Sequence, residues 1–116
     1  MGILDRIFGP KVPQISVRDA YALLQSAAPP IIVDVRQPAE TKSGSVPGAL
    51  LIPLTEFGKR LHELPRDRQI LTICYSSHRS PFAARRLQKA GYAVQDVQGG
   101  LIAWQQAGLP LERKEV

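Results

Sequence analysis

Short runs of apolar and β-branched residues alternate along the chain with stretches whose apolar residues recur at helical spacing. The runs at residues 31–33, 49–52 and 70–73, with the strand-like stretch at 92–97, predict four buried strands. Continuous apolar strands are typical of a sheet that is covered on both faces, which favours parallel pairing. The pattern therefore predicts an α/β fold with three layers, in which helices flank a mostly parallel central sheet.

The stretches between the strands carry residues that are typical of helix starts. Ser16 and Thr55 stand where an N-cap is expected, and Ser80 stands at the start of a third helix. The glycine pair at residues 99–100 opens a last helix. Trp104 lies on the apolar face of that helix, so we expect its side chain in the core.

The composition is that of one domain without cross-links. A chain of 116 residues, 44% of them hydrophobic, is long enough for a single core. We predict a domain at residues 14–112, an N-terminal extension at 1–13 and a C-terminal tail at 113–116. One Cys excludes an intramolecular disulfide, and one Cys with two dispersed His residues does not make a metal site. Neither a metal nor another cofactor is expected.

The charge and the lack of a long apolar run restrict the partners and the location. The net charge is +5, but the basic residues are dispersed, so small anions are better candidates than nucleic acid. No apolar run approaches the roughly 18 residues of a membrane-spanning helix. The short apolar stretch at residues 3–8 lacks the length of a secretory signal. Because a lone thiol suits a reducing compartment, a cytoplasmic protein is expected.

One polar loop connects a buried strand directly to a predicted helix start, and it begins at Cys74. Ligands of open α/β sheets bind beyond the carboxyl ends of strands. Small polar residues before a helix N-terminus favour a nest of backbone N–H groups that binds an anion and lowers the pKa of a thiol. Cys74 is therefore a candidate nucleophile, and Arg79 is a permanent cation for an oxyanion substrate. The local pattern leaves open that Cys74 is a small buried residue that ends a strand.

Four segments in order resemble the motifs of single-domain rhodaneses, which are sulfurtransferases. Residues 34–40 (DVRQPAE) resemble DVRxxxE, 44–49 (GSVPGA) resemble GHIPGA, 74–80 (CYSSHRS) resemble CxxGxRS, and 99–110 (GGLIAWQQAGLP) resemble GGxxxWxxxGxP. Each motif alone is weak, but the four together extend the resemblance from about residue 15 to residue 110. The resemblance implies the rhodanese-like version of the α/β fold.

The resemblance implies sulfur transfer through a persulfide on Cys74. Sulfane sulfur would pass from a donor such as thiosulfate to this cysteine, and from there to cyanide or a thiol, in a double displacement. The implied substrate-binding loop consists of Tyr75, Ser76, Ser77, His78, Arg79 and Ser80. Asp34 and Arg36, together with Glu40, are expected to form a supporting ion-pair network. An acidic protein acceptor is a further candidate partner, because basic residues follow the loop.

Three loop residues have more specific expectations. His78 is expected at the rim, where it tunes charge or the choice of acceptor, because a thiolate nucleophile needs no general base. Tyr75 is expected to shape access to the cysteine. Arg79 orients either the donor or the loop itself, and the sequence leaves these two roles open.

The chain departs from the family pattern at two positions. Ser45 replaces the usual His of the second motif, and Ser77 replaces the usual Gly of the cysteine loop. Ser77 either adopts a positive φ at some cost or reshapes the turn. The loop spacing is C-x4-R, one residue shorter than the C-x5-R of cysteine phosphatases, which makes a phosphatase or arsenate reductase a weaker alternative. A sulfur-relay or regulatory module that acts with a protein partner is the alternative from another class.

Overall fold

Five parallel strands form the central sheet of the computed structural model, which describes residues 11–113. The strands are β1 (Gln14–Ile15), β2 (Ile31–Asp34), β3 (Leu50–Leu51), β4 (Ile70–Ile73) and β5 (Val94–Val97). Their order across the sheet is β1-β5-β4-β2-β3, and each neighbouring pair is parallel. The predicted α/β fold is confirmed.

Four α-helices flank this sheet. They are α1 (Val17–Leu24), α2 (Leu54–Arg60), α3 (Ser80–Lys89) and α4 (Gly100–Gln106), and 3-10 segments occur at Pro38–Ser43 and Leu61–Glu63. Ser16 caps α1 as predicted, because its hydroxyl accepts the N–H of Asp19 at 3.1 Å. Ser80 is the first residue of α3, also as predicted. Short crossovers of this kind keep all the strands parallel.

The predicted N-cap at Thr55 is wrong. Helix α2 begins at Leu54, so its cap position is Pro53, two residues before Thr55, and no side chain caps it. The Thr55 hydroxyl instead accepts a hydrogen bond of 3.2 Å from the Gln37 side-chain amide. The fixed φ of Pro53 sets the helix entry, which leaves the threonine free for a tertiary contact.

The core consists of two apolar layers, one on each face of the sheet. Successive residues of β2 point to opposite layers. Val33 packs in the layer that contains Phe57 of α2, and Ile32 packs in the layer that contains Trp104 of α4. Trp104 is fully buried, as expected, and its indole N–H donates to the Pro110 carbonyl at 2.9 Å. Both faces of the strands are therefore covered, which explains why their sequences are continuously apolar.

The parallel register brings three strand ends to one edge of the sheet. Asp34 at the end of β2 is in register with Ile73 at the end of β4, and Thr72 is in register with Asp96 of β5. Cys74 thus follows the central strand at this edge. Within residues 11–113, no helix is long and apolar enough to cross a membrane. The predicted apolar stretch at residues 3–8 lies outside the described residues.

Candidate active site

Cys74 is a free, fully buried thiol at the carboxyl end of β4. The loop that follows it ends at Arg79, which is the residue before the start of α3. The backbone N–H of Ser80, in the first turn of this helix, points back to the cysteine and donates to Sγ at 3.4 Å. The structure therefore brings together the strand end, the polar loop and the helix N-terminus that the sequence predicted.

The surroundings of Cys74 favour its anionic form. Burial raises the pKa of the thiol, but the hydroxyl and N–H of Ser80 and the N–H groups of Arg79 and Ser76 lower it by more, so the net shift of the pKa is downward. These groups are N–H and O–H dipoles near one sulfur atom, and of the Ser80 groups the backbone N–H forms the hydrogen bond with it. A thiolate is the nucleophilic form of cysteine, so these surroundings make the Cys74 sulfur more reactive than a free thiol.

Ser77 adopts the left-handed conformation that glycine usually supplies. Its φ is 64°, and it is the one non-glycine residue with a positive φ among residues 11–113. The Ser77 hydroxyl donates to the Val97 carbonyl at 3.0 Å, which ties the loop to the end of β5. The loop thus keeps the turn that a glycine would allow, and the hydrogen bond offsets part of the conformational cost.

We predict that Ser77→Gly is less harmful to stability than Ser77→Ala. Glycine relieves a left-handed strain of roughly 1–2 kcal/mol while it loses the hydroxyl bond and adds chain entropy, so its net change is within about 1 kcal/mol. Alanine keeps the strain and loses the bond, which costs about 1 kcal/mol or more. Urea unfolding measures both variants against the wild type. A glycine variant that is less stable than the alanine variant would contradict this explanation.

The N-terminus of α4 holds the first two carbonyls of the loop. The N–H of Leu101 donates to the Cys74 carbonyl at 2.9 Å, and the N–H of Ile102 donates to the Tyr75 carbonyl at 3.0 Å. Gly100 allows this approach, because a Cβ at that position would lie 2.5 Å from the Cys74 oxygen and 2.6 Å from the Tyr75 oxygen. These two hydrogen bonds thereby fix the backbone of Cys74 and Tyr75.

Arg79 forms a two-pronged ion pair with Glu40. Its two terminal nitrogens lie 2.7 and 2.8 Å from the two carboxylate oxygens, and each side chain is about one-third exposed. The Arg79 guanidinium lowers the pKa of Glu40 to about 2. Of the two roles left open by the sequence, this geometry favours the one in which Arg79 orients the loop, since both of its terminal nitrogens already have partners.

Arg36 connects this pair to the end of β2. It is almost fully buried, lies 2.8 Å from an Asp34 carboxylate oxygen, and donates to the carbonyls of Glu40 and Gly44 at 3.1 and 2.9 Å. The side chain of Arg36 therefore holds the 3-10 segment that carries Glu40. A connected network beside the loop thus supports Arg79, and it consists of Asp34, Arg36, Glu40 and Arg79 itself.

We predict that Glu40→Gln destabilises the protein in a pH-dependent way. Because the native pKa of Glu40 is below its usual 4.5, the ion pair stabilises the fold fully above pH 4.5, and this stabilisation is lost as the pH falls towards 2. Solvent screening of this part-exposed pair reduces its value to about 1 kcal/mol. Urea unfolding between about pH 7 and pH 3 should therefore show a wild-type advantage that shrinks with acid.

Glu56→Gln is the matched control for this measurement. The Glu56 carboxylate is more than half exposed and lies 3.5 Å from Arg60 in a helical pair. Its removal is expected to change the unfolding free energy by less than about 0.5 kcal/mol at every pH. A Glu40→Gln penalty that stays constant with pH would show that the effect comes from packing and not from charge.

The remaining loop side chains lie at the rim. His78 is exposed, and its Nδ1 is 2.6 Å from the Ser76 hydroxyl. Tyr75 is 49% exposed, and Phe82 in the first turn of α3 is 59% exposed with the Arg85 guanidinium 6.0 Å from its ring centre. The loop thus opens onto a surface with two accessible aromatic rings.

The described part of the chain offers no cluster of metal-ligating side chains. Residues 11–113 contain no group of three His, Cys, Asp or Glu side chains placed to hold an ion. An apolar cavity of about 450 Å³, bordered by Tyr21, Leu50 and Trp104, shares no residue with the cysteine loop.

A comparison with protein families shows which family the chain belongs to. The family model described as Rhodanese-like domain matches residues 16–107. The chain belongs to the rhodanese-like domain family. The resemblance that the four motifs predicted is thereby confirmed.

Individual members of the rhodanese-like family support the same assignment. A sulfurtransferase of Allochromatium vinosum is 40% identical over 86 residues, which are 73% of this chain and 80% of that protein. A Bacillus subtilis protein named as a candidate sulfur carrier, YrkF, is 36% identical over 80% of this chain and 51% of its own length. The crystal structure of a rhodanese-related protein from Thermoplasma volcanium superposes with a TM-score of 0.83 at 29% identity, covering 88% of this chain and 99% of that one.

Family membership and the names of these relatives support a function in sulfur transfer. The sequence analysis did not identify the contact of Gly100 with the loop, nor the buried hydrogen bond of 2.9 Å between Thr72 and Asp96. The glycine pair at residues 99–100 was noted as the opening of a helix and as part of a family motif, and neither observation predicts the close approach of Gly100 to the loop carbonyls. Asp96 carried a usable signal, because a carboxylate inside an otherwise buried strand is rare unless it has a partner.

Proposed function

We propose that the protein is a rhodanese-type sulfurtransferase that carries sulfane sulfur as a persulfide on Cys74. The donor is a small sulfur anion such as thiosulfate, and the acceptor is cyanide or a thiol. The observation that supports this proposal most strongly is the buried free thiol at a strand end, whose pKa is lowered by the Ser80 hydroxyl and by loop N–H groups. We also place the protein in the cytoplasm, where a free thiol persists.

In this mechanism the Cys74 thiolate attacks the outer sulfur of thiosulfate. A bond forms between Sγ and that sulfur, the sulfur–sulfur bond of the donor breaks, and sulfite leaves with the electron pair. The negative charge then lies on the outer persulfide sulfur. Attack of cyanide on this sulfur forms thiocyanate and returns the electron pair to Sγ, so neither step consumes a proton.

The loop residues have separate parts in this proposal. The N–H groups of Ser76, Arg79 and Ser80 stabilise the anionic sulfur, and they are fixed before the reaction begins. Ser77 sets the turn of the loop, while Asp34 and Arg36 hold the segment that supports Arg79. His78 and Tyr75 lie where an acceptor would approach.

The test is the intact mass of the protein after incubation with thiosulfate. A gain of one sulfur atom is expected, followed by its loss on addition of cyanide with formation of an equal amount of thiocyanate. Alkylation of Cys74 with iodoacetamide beforehand is the control and should block the gain, since the chain has no second cysteine. No gain with thiosulfate or with any other small sulfane donor would contradict the proposal.

A sulfur-relay module that serves a protein partner is the second candidate. Tyr75 and Phe82 expose apolar surface beside the loop, and Arg86 and Lys89 on α3 add exposed positive charge that suits an acidic partner. One relative is named as a candidate sulfur carrier, and this chain spans only 51% of it. No loading by small donors, together with recovery of a stable acidic protein that requires Cys74, would favour this candidate.

The phosphatase alternative has its own test. The six-residue loop from Cys74 to Arg79 is one residue shorter than that of cysteine phosphatases, so we expect no hydrolysis of an aryl phosphate. Hydrolysis that disappears after alkylation of Cys74 would overturn this expectation.

A further inference from the structure

Two buried polar atoms behind Cys74 have no hydrogen-bond partner among the described residues. They are the Ser80 hydroxyl oxygen and one carboxylate oxygen of Asp96, Oδ2. The first side chain is 0% exposed and the second 1%. The other Asp96 oxygen accepts the Thr72 hydroxyl at 2.9 Å. Native proteins rarely leave a buried carboxylate half-satisfied, so this arrangement calls for a physical explanation.

The strand pattern places all these groups on the same face of the sheet. Thr72 and Cys74 are two residues apart, so their side chains leave β4 on one side, and the hydrogen bond from Thr72 shows that Asp96 points to that side too. Ser80 starts the helix above them. The Ser80 N–H donates to Cys74 Sγ at 3.4 Å, and the next residue of α3, Pro81, lines one cavity with Asp96, so Ser80 lies between the sulfur and the carboxylate. The Ser80 hydroxyl lowers the pKa of both the Cys74 thiol and the Asp96 carboxyl, which agrees with this placement.

A serine hydroxyl carries a single hydrogen, and it cannot donate that hydrogen to two anions at once. We infer that Asp96 is a positioning residue for the reactive sulfur, because it competes with the Cys74 thiolate for the hydroxyl hydrogen of Ser80. The Asp96 carboxylate therefore makes the free thiolate less stable than it would be beside a neutral residue.

This competition has a consequence that rests on the proposed function. When sulfur is transferred to Cys74, a bond forms between Sγ and the incoming sulfur, and the negative charge moves from Sγ to the outer atom. Sγ then no longer needs the Ser80 hydrogen, which becomes free for the carboxylate of Asp96. Asp96 thus favours the sulfur-loaded form over the free thiolate.

Other charged groups near Asp96 and Cys74 also affect the stability of the thiolate. Asp96 borders a cavity of about 250 Å³ that is also lined by Lys11, Gln14 and Arg85. The Arg85 Nε is buried without a partner among the described residues, so positive charge is available on the α3 side. Cys74 faces Arg79, whose charge is shared with Glu40. Burial raises the pKa of Asp96, and the Ser80 and Thr72 hydroxyls lower it.

The test is the pH dependence of Cys74 alkylation by iodoacetamide, which reports the thiolate without any sulfur donor. Asp96→Asn removes the competing charge, so the midpoint should fall by about one pH unit. Thr72→Val removes the donor to the other carboxylate oxygen. The Asp96 carboxylate then competes more strongly for the Ser80 hydrogen, so the pH midpoint of alkylation should rise. The control Asp67→Asn makes the same charge change at an exposed site and should not shift the midpoint.

A Ser80→Ala background tests whether Asp96 acts on Cys74 through the Ser80 hydroxyl. Both shifts should disappear there, because the shared hydrogen is gone. An equal Asp96→Asn shift in that background, or no shift in the wild-type background, would overturn the inference. If Asp96→Asn does not fold, as judged by circular dichroism, the comparison of Thr72→Val with and without Ser80→Ala decides the outcome. Failure of the wild type to load sulfur would count against the proposed function and leave these midpoints unaffected.

The effect on loading is measured separately. At a fixed ratio of thiosulfate to sulfite, Asp96→Asn should lower the equilibrium ratio of persulfide to free thiolate by about tenfold, the equivalent of one pH unit. Intact mass gives this ratio. An unchanged ratio would show that Asp96 does not act on the loaded form.

Discussion

The Cys74→Ser variant is expected to take up no sulfur from thiosulfate and to lose sulfur transfer by at least about 10³-fold. The donors that lower the pKa of the Cys74 thiol cannot ionise a hydroxyl near neutral pH, because an aliphatic hydroxyl starts many units higher than a thiol. A serine oxygen also forms no persulfide. Intact mass and the initial rate of thiocyanate formation measure the two losses.

Loss of the fold must be separated from loss of the nucleophile in this variant. Serine is smaller than cysteine and can still accept the Ser80 N–H, so the unfolding free energy should change by only about 1 kcal/mol. Urea unfolding checks this point. A folded Cys74→Ser protein that still gains a sulfur atom would show that the sulfur is carried elsewhere, and the assignment of the nucleophile would be wrong.

Gly100→Ala is expected to lower the unfolding free energy by about 3 kcal/mol or more. The new Cβ would lie 2.5 Å from the Cys74 carbonyl oxygen and 2.6 Å from that of Tyr75, at a φ of +61°. Helix α4 must therefore move away, which breaks the hydrogen bonds from Leu101 and Ile102 to these carbonyls. Because those bonds fix the backbone of Cys74, the proposed carrier of sulfur, sulfur loading should fall together with stability.

Gly108→Ala is the control for the backbone conformation alone. Gly108 also has a positive φ, +71°, but an added Cβ would meet nothing within 4 Å. Its substitution should cost only the left-handed strain, roughly 1–2 kcal/mol, and leave sulfur loading intact. Equal losses of stability in the two variants, measured by urea unfolding, would contradict the contact that we assign to Gly100.

The position of Cys74 was predictable because it depends on local pattern. The apolar run at residues 70–73 predicts a buried strand, and Ser80 predicts a helix start, so the cysteine between them had to lie at a strand end. The fold class followed from the same alternation. The Thr55 cap was predicted wrongly, because the local pattern does not show the tertiary contact with Gln37.

The contacts behind the loop were not predictable in this way. Ser80 and Asp96 are separated by a helix and a turn, and Thr72 lies 24 residues before Asp96 in the sequence. Only the register between β4 and β5 brings these side chains together. A single sequence carries no record of that register, because many pairings would bury the same apolar residues.

The lone cysteine shows where the two kinds of information divide. The amino-acid pattern alone predicts that a thiol follows a buried strand and precedes a helix, because hydrophobic period and capping are local properties. The folded domain was needed to show which donors face that thiol, that Ser77 adopts the left-handed turn and that Glu40 pairs with Arg79. These features depend on distances between segments that are remote in the chain, and packing of the whole domain sets those distances.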